Sequence, residues 1–331
     1  MSKQSLSIII PNYNGVRTIG TCLEALIAHR DEECEIVVVD DGSSDGSIEV
    51  IGRYPVKLIR LEHAGASAAR NAGAVGSKGE ALFFIDSDCI VTETTIPRVR
   101  KNLAEQPPDV VIGGTYTAVP YDAGFFSSFQ SAFINYFESK NAGHPDYIAT
   151  HAMLIRAASF KEIGGFKEDF LPILEDVEFS HRLRRSGFRL IMDPDLQVRH
   201  IFHHSLMKSL QNAFNKTRYW VEYSLANRDL FTDSGTASRE IKINGVSWLI
   251  TVVLVLFYLI FGQRSLLASL PLLWAANMFV NRHLYRAFLK AQGVWFAILA
   301  GCYYSLIYPA AIWTGYFRGM FQYYYKQWST K

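Results

Sequence analysis

The sequence is poor in several things, and each shortage removes a class of protein. It holds only four cysteines in 331 residues, Cys22, Cys34, Cys89 and Cys302, and none forms a Cys-x-x-Cys pair. Neither a zinc site nor a disulfide framework is expected, and a reducing compartment suits the N-terminal part. The formal net charge is only +2, with no short run of basic residues, which argues against a nucleic-acid partner. Met1-Ser-Lys-Gln-Ser leads straight into an apolar run. No charged-then-apolar leader with a small-residue cleavage site precedes it, so the soluble part is expected in the cytosol. Charged residues make up only 19% of the chain. They run through the first ~240 positions and then nearly vanish, so one large domain followed by a membrane appendage is expected.

What is present begins with an alternation. Leu6–Ile10, Glu35–Val39, Lys57–Arg60 and Ala81–Ile85 read as strands, the first stopped by Pro11. Thr18–His29, Ser47–Gly52 and Ala66–Ala74 read as the helices between them. Such an order predicts an α/β domain with a mostly parallel sheet covered on both faces. Ligands bind such sheets beyond the carboxyl ends of the strands, so the polar residues there are the candidates. Further on, Glu175–Arg185 reads as a helix stopped by Gly187, and Phe188–Met192 as a strand. Phe125, Phe126, Phe129, Phe133, Tyr136 and Phe137 recur at helical spacing. They predict a helix packed on the sheet or, as the sharper alternative, an interfacial helix touching lipid.

Ser205–Asn227 mixes Leu206, Leu210, Phe214 and Trp220 with Lys208, Lys216 and Arg218, which suits a helix at a membrane surface. Gly245–Gly262, Ser265–Val280 and Gly293–Phe317 are uncharged runs. They are read as two or three transmembrane or re-entrant segments rather than a buried helical subdomain. Arg239, Lys242, Arg282, Arg286 and Lys290 place the N-terminal domain and the loop 281–292 on the cytosolic side. A third full crossing would leave Arg318, Lys326 and Lys331 outside, so spanning and re-entry both stay open. The expected organisation is a catalytic domain over 1–204, an interfacial helical region over 205–244 and a membrane region over 245–331.

Three acidic clusters stand at the ends of predicted elements: Asp40-Asp41, Asp86-Ser87-Asp88 and Glu175-Asp176. An Asp-x-Asp at a strand end projects two carboxylates to one side, which suits a hard divalent cation bridging phosphates. Each cluster also has a plain structural reading, as a turn, an N-cap or a helix start. Their order carries more. Ser7-Ile-Ile-Ile-Pro-Asn-Tyr-Asn14, Val37-Val-Val-Asp-Asp-Gly-Ser-Ser-Asp45, Ala69-Arg-Asn-Ala-Gly73 and Phe84-Ile-Asp-Ser-Asp88 together resemble the family 2 glycosyltransferases of the GT-A fold. Ile163-Gly-Gly-Phe166 with Leu174-Glu-Asp-Val-Glu-Phe-Ser-His-Arg182 resembles the same family's acceptor-side motif. The resemblance covers roughly residues 5–200.

That resemblance implies a Rossmann-like nucleotide-sugar-binding domain and an inverting transfer. It implies that Pro11 and Tyr13 line the base pocket and that Asp41, with Asp40 beside it, binds the base or ribose. Arg70 would assist the diphosphate. Asp86, with Ser87, would face the ribose, and Asp88, joined by Asp86 and His200, would hold Mn2+ or Mg2+. Asp176 would be the general base, with Glu175 as its neighbour. The implied partners are a nucleotide-diphosphate sugar donor and a lipid or lipid-linked glycan acceptor. A polyprenyl phosphate acceptor and a catalytically silent nucleotide-binding scaffold are the alternatives. Thr150-His151-Ala152 departs from the family's usual Gly–Asn pattern ahead of Ile155-Arg156. The Gln-x-x-Arg-Trp motif of processive synthases is missing, which disfavours polymer synthesis.

Overall fold

In the computed structural model, residues 4–171, 173–228, 230 and 233–329 are described; Met1 and Lys331 of the sequence reading lie outside them. The chain forms two compact units. One comprises Met1–Ala123 and Phe137–His203, the other Gly124–Tyr136 and His204–Lys331.

The first unit is built on one eight-stranded sheet: β1 (Leu6–Asn12), β2 (Cys34–Asp40), β3 (Lys57–Arg60), β4 (Ala81–Phe84), β5 (Cys89–Val91), β6 (Val110–Tyr116), β7 (Met153–Arg156) and β8 (Arg189–His200). The spatial order is β3-β2-β1-β4-β7-β6-β8-β5. β1, β2, β3 and β4 are parallel, as are β6 and β8. β7 runs antiparallel to β4 and β6, and β5 antiparallel to β8, so the sheet is mixed with a mostly parallel core. The central strands carry no polar alternation because both faces are covered. Leu6, Ile8, Ile9 and Ile10, and all four residues of β4, are fully buried.

β1 continues through Pro11 rather than stopping there. Its partner β4 ends at Phe84, opposite Ile9, whereas pairing with β2 continues to Asn12 and Asp40. The amide hydrogen that Pro11 lacks would point to the β4 side, where the ladder has ended, so its loss costs no sheet bond. β8 is also longer than its expected Phe188–Met192. It passes Pro194 in a bulge, where the register on β6 shifts between Gly113 and Thr115. β6 itself needs its two glycines. A Cβ on Gly114 would lie 2.3 Å from the Leu196 carbonyl oxygen, and one on Gly113 2.7 Å from Ile148 Cδ1.

The bulge is pinned by charge. Asp193, 6% exposed, accepts from Arg98 at 2.5 and 2.7 Å and from Asn102 Nδ2 at 2.6 Å. Arg98 and Asn102 belong to the helix Thr95–Glu105.

The second unit is helical: the N-terminal part of Phe125–Ser139, then Leu206–Asn227, Arg239–Phe261, Leu270–Val280, Arg282–Cys302 and Tyr308–Ser329. The rings of Phe125–Tyr136 were expected against the sheet. They pack instead on aromatics of the C-terminal helices, with Phe129 centred 4.8 Å from Tyr303 and 5.5 Å from Phe288. Helical spacing fixes that these rings share a face; it does not fix what covers them. The stretch 281–292, expected as a loop, is helical. Leu284 and Phe288, one turn apart, are fully buried, while Arg286 and Lys290 stay exposed. The helix breaks at Gln292 and Gly293, where Gly293 takes φ +82°.

Two stretches, Arg239–Phe261 and Arg282–Ser329, are long and apolar enough to cross a membrane. Leu270–Val280 has 11 residues, about 16 Å of helix, against an apolar core of ~30 Å.

Asp193 supplies a first prediction. Burial would raise its pKa, but the hydrogen bonds from Arg98 and Asn102 more than offset this and hold it below the ordinary carboxylate value. The pair therefore stabilises the fold above the ordinary carboxylate range, and that contribution is lost as pH falls through the depressed pKa. Arg98→Met should cost about 2 kcal/mol at neutral pH, less than a fully buried pair because Arg98 is 27% exposed. Thermal melts should show the gap to wild type narrowing at acid pH; a gap independent of pH would sink this assignment.

Candidate active site

The three acidic clusters all lie at one end of the sheet, but they do different work. Asp40 closes β2 and is 1% exposed. One carboxylate oxygen accepts from Asn12 Nδ2 at 2.8 Å, the other from the Ser43 amide at 3.0 Å. Asp41 accepts from the Ala64 and Gly65 amides at 2.7 and 2.9 Å and lies 3.0 Å from His63 Nδ1. Both carboxylates thus shape loops that border the site. Asn14, in the left-handed region at φ +51°, ties into the same loop through Ser43 and Ser44. Tyr13 is 51% exposed and stacks on His63, centroids 4.2 Å apart. Pro11 is half-buried. Ser87 borders Gly15: a Cβ there would lie 3.3 Å from Ser87 Oγ and 2.3 Å from Asn12 Oδ1, so only glycine fits.

Arg70 sits on the helix Ala66–Gly76 with its side chain 5% exposed. Its Nη2 donates to Asp86 Oδ1 at 2.8 Å and its Nη1 to Glu175 Oε1 at 2.7 Å. One guanidinium therefore joins the end of β4 to the start of the helix Glu175–Arg185. Burial alone would raise the Asp86 pKa, but Arg70, and after it His151, hold it below the ordinary value. The helix Glu175–Arg185 opens with Glu175, Asp176 and Glu178, where its dipole favours negative charge. Leu174 before it takes φ +81°, a strained backbone for a branched side chain that costs about 1–3 kcal/mol.

Asp88 and His200 meet through strand pairing. Antiparallel β5 and β8 set Cys89 opposite His200, and His200 Nε2 lies 3.3 Å from Asp88 Oδ1. Among the described residues, the ligand atoms of Asp88, Cys89 and His200 lie within 4.8 Å of one another. Asp86 is outside that group, its carboxylate turned to Arg70. Burial and then the Asp86 charge push the Asp88 pKa up to about 7. Burial, followed by Asp88 and Asp86, also pushes the Cys89 thiol well up. A carboxylate oxygen and an imidazole nitrogen, crowded by a second carboxylate, fit a divalent cation.

Sequence reasoning passed over two residues. His63 stacks on Tyr13 from a loop that Asp41 and the Asp40 carbonyl hold near. His151, 6% exposed, stacks on Tyr116 with centroids 4.0 Å apart; it stood out in the sequence solely as a departure from a pattern.

A mixed sheet of this order, with acidic turns at the carboxyl ends of its parallel strands, is a GT-A fold. Consistent with this, a mannosyltransferase from Pyrobaculum calidifontis, solved with GDP-Man and Mn2+, superposes with a TM-score of 0.59 at 18% identity. The match covers 97% of this chain and 88% of that one. Residues 7–164 match the model of Glycosyl transferase family 2. Glycosyltransferase GlyG of Streptococcus pneumoniae is 33% identical over 127 residues, 37% of this chain and 42% of that protein. Glycosyltransferase AglE of Haloferax volcanii is 27% identical over 199 residues, 58% of this chain and 65% of that protein. The chain thus spans less than two thirds of the length of these curated relatives.

Arg70 sets the second prediction. Arg70→Met removes the common partner of two carboxylates and should cost about 3–5 kcal/mol. Arg70→Lys keeps the charge but lacks the fork, so it should recover only part of the loss. Equal stability of Arg70→Lys and wild type in denaturant titrations would mean that the bridge contributes charge alone.

Proposed function

We propose that this protein is an inverting glycosyltransferase. It moves a sugar from a nucleotide-diphosphate donor to a hydroxyl of a lipid or lipid-linked glycan at the cytosolic face of a membrane. The observation that carries this reading is the Arg70 bridge. It brings the Glu175-Asp176 helix start to the same sheet end as Asp86, Asp88 and His200. A leaving-group site and a base are what such a transfer requires.

In this reading the nucleotide lies over the loops that Asp40 and Asp41 brace, with its base against Tyr13 above Pro11. Asp86 and Ser87 face the ribose. Asp88 and His200 are the residues that would hold a divalent cation, Mn2+ or Mg2+. Such an ion stabilises charge on the departing diphosphate as a Lewis acid. Asp176 accepts the proton of the attacking hydroxyl as its oxygen bonds to the anomeric carbon. The bond to the diphosphate breaks from the opposite face, and its electron pair leaves with the diphosphate. Glu175, neutralised by Arg70, orients the helix start rather than competing for that proton. One carboxylate near the acceptor suffices, unlike the acid–base pair of a hydrolase.

The membrane assignment rests on the apolar surface of the helix Arg239–Phe261. Leu259, Ile260 and Phe261 are 69%, 73% and 62% exposed there. Arg239 and Lys242 at its start, with Arg282, Arg286 and Lys290 further on, favour a cytosolic catalytic domain.

Asp176→Asn should lower turnover with hydroxyl acceptors about 10²–10⁴-fold and leave donor affinity unchanged. An acceptor phosphate is already ionised and needs no base. Full activity of the variant on polyprenyl phosphate alone would therefore shift the acceptor to that class, and near-normal transfer to a hydroxyl would remove Asp176 from its role. Asp88→Ala should abolish the difference in donor affinity that calorimetry records with and without Mn2+, while the circular dichroism spectrum stays unchanged. Donor turnover that survives a chelator would contradict the cation site.

A further inference from the structure

The sulfur of Cys89 lies beside the cation site, and the chemistry above leaves it unused. Cys89 follows Asp88 directly and opens β5, where it is fully buried. Antiparallel pairing sets it opposite His200 on β8. Residues directly opposite one another in such a pair project to the same face, with Cα atoms about 4.5–5.5 Å apart. Cys89 and His200 are therefore neighbours by register, not by the choice of a rotamer. The backbone around them is fixed as well. The Asp88 carbonyl accepts from the Ile201 amide at 2.9 Å, and the Cys89 amide donates to the Asp86 carbonyl at 3.0 Å. The His200 ring is held by Phe202, stacked on it at 3.9 Å, and by Tyr116, edge-on at 4.8 Å.

The three donor atoms are spaced for a common ion. His200 Nε2 lies 3.3 Å and Cys89 Sγ 4.0 Å from Asp88 Oδ1. Among the described residues, the ligand atoms of all three fall within 4.8 Å of one another. A triangle of such edges has a point at most about 2.4 Å from each corner, against zinc bonds of about 2.0–2.2 Å to nitrogen or oxygen and about 2.3 Å to sulfur. Tetrahedral bonds of these lengths bring nitrogen and oxygen to about 3.4 Å, and sulfur and oxygen to about 3.6 Å. The first pair is already in place, and the sulfur has only a small advance to make.

The chemistry of the set is as specific as its spacing. Mg2+ and Mn2+ take oxygen donors, and sulfur adds little for them. One carboxylate oxygen, one imidazole nitrogen and one thiolate sulfur suit a borderline ion in four coordination with one position left open. In the function proposed above, on which the task of the ion rests, a diphosphate oxygen takes that position. Asp88, 38% exposed, marks the open side.

We propose that Cys89 is a sulfur ligand of the cation site and makes it selective for a borderline divalent ion, Zn2+ or Co2+, over Mn2+ and Mg2+. On binding, the cation displaces the thiol proton. The S–H bond breaks, the proton passes to water, and the sulfur electron pair forms the bond to the ion. Asp88 and His200 supply the other two donors. Asp86 does not join them, because Arg70 holds its Oδ1 at 2.8 Å. Cys22, a second buried thiol at this end, turns to the Asp86 carbonyl at 3.9 Å and lies outside the group.

The full-length protein in detergent, stripped with a chelator, would be titrated with Co2+ alone and with UDP or GDP present, and followed by absorption spectroscopy. Wild type should develop a near-ultraviolet sulfur-to-cobalt charge-transfer band together with the visible bands of four-coordinate cobalt. Cys89→Ala and Cys89→Ser should both lose the charge-transfer band. Cys302→Ala, which removes an exposed thiol, should keep it. Competition calorimetry with Zn2+ and Mn2+ gives a second readout. Cys89→Ala should lower Zn2+ affinity by at least the about 10–100-fold that loss of a supporting group costs a metal site, with Mn2+ affinity held within about 3-fold. A wild-type cobalt complex without the charge-transfer band would overturn the inference even if neither Cys89 variant folds. A band that survives in Cys89→Ala would do the same. Either result would leave Asp88 and His200 as ligands and the transferase reading intact. Failure of wild type to bind Co2+, Zn2+ or Mn2+, with or without nucleotide, would overturn the cation site of that reading and this inference with it.

Discussion

The geometry of the site depends on one buried guanidinium. Arg70 holds carboxylates that are far apart in sequence, Asp86 after β4 and Glu175 at a helix start. Neither the sheet nor the helix dictates that these two elements meet. Sheet hydrogen bonds fix where β4 ends, and the helix dipole fixes that Glu175, Asp176 and Glu178 crowd its first turn. The contact between them is electrostatic. The two bonds use one N–H on each Nη, and the cost of desolvating Arg70 is offset because both partners are charged and both are aligned, although its buried Nε has no partner among the described residues.

The other charges at this end divide into two kinds. Asp40 and Asp41 are compensated by backbone amides and by Asn12, which turns them into braces for loops. Asp86 and Glu175 are compensated by Arg70. Asp88 is left with less compensation: Asp86 repels it, and its near neighbours among the described residues are His200 and the Cys89 thiol. One carboxylate beside one imidazole is thus left where its charged form is disfavoured unless a cation arrives. Strain follows the same pattern: Leu174, whose backbone is in the left-handed region, immediately precedes Glu175. Packing and charge pairing elsewhere carry the cost of holding a carboxylate in this condition.

Much of this was legible in the sequence, for stated physical reasons. β1, β2 and β4 are continuous apolar runs because both faces are covered, and the acidic turns follow from their ends. The helix Glu175–Arg185 announced itself by an acidic start and by Gly187. Other features could not be read locally. β6 carries two glycines, which look like a loop until the neighbouring backbone at Leu196 is in place. β8 contains a proline that is tolerated at a bulge. His200 comes to Asp88 through the β5–β8 register, which no spacing in the chain reveals. Asp40 and Asp41 look as free as Asp86 and Asp88 in the sequence; their partners are amides, and amides carry no sequence signature.

The helical unit follows the same logic. Its helices carry apolar side chains on many sides, and apolar contacts alone set no register between them. Polar contacts remove that freedom. Asn277 donates to Asn244, Asn281 donates to Asn277, and Tyr304 donates to Asn281, every one of these side chains being at most 1% exposed. Three helices and the turn at Tyr304 are thereby locked in a single register, because any shift by one turn would leave several buried amides unpaired. Gly315 and Gly319 set a second constraint. A Cβ on either would lie 2.5 or 2.4 Å from a backbone oxygen of the helix Leu206–Asn227, so these two helices meet backbone to backbone. A set of helices held by amide ladders and glycine contacts is a packed body, fixed by its polar and backbone contacts as much as by apolar burial.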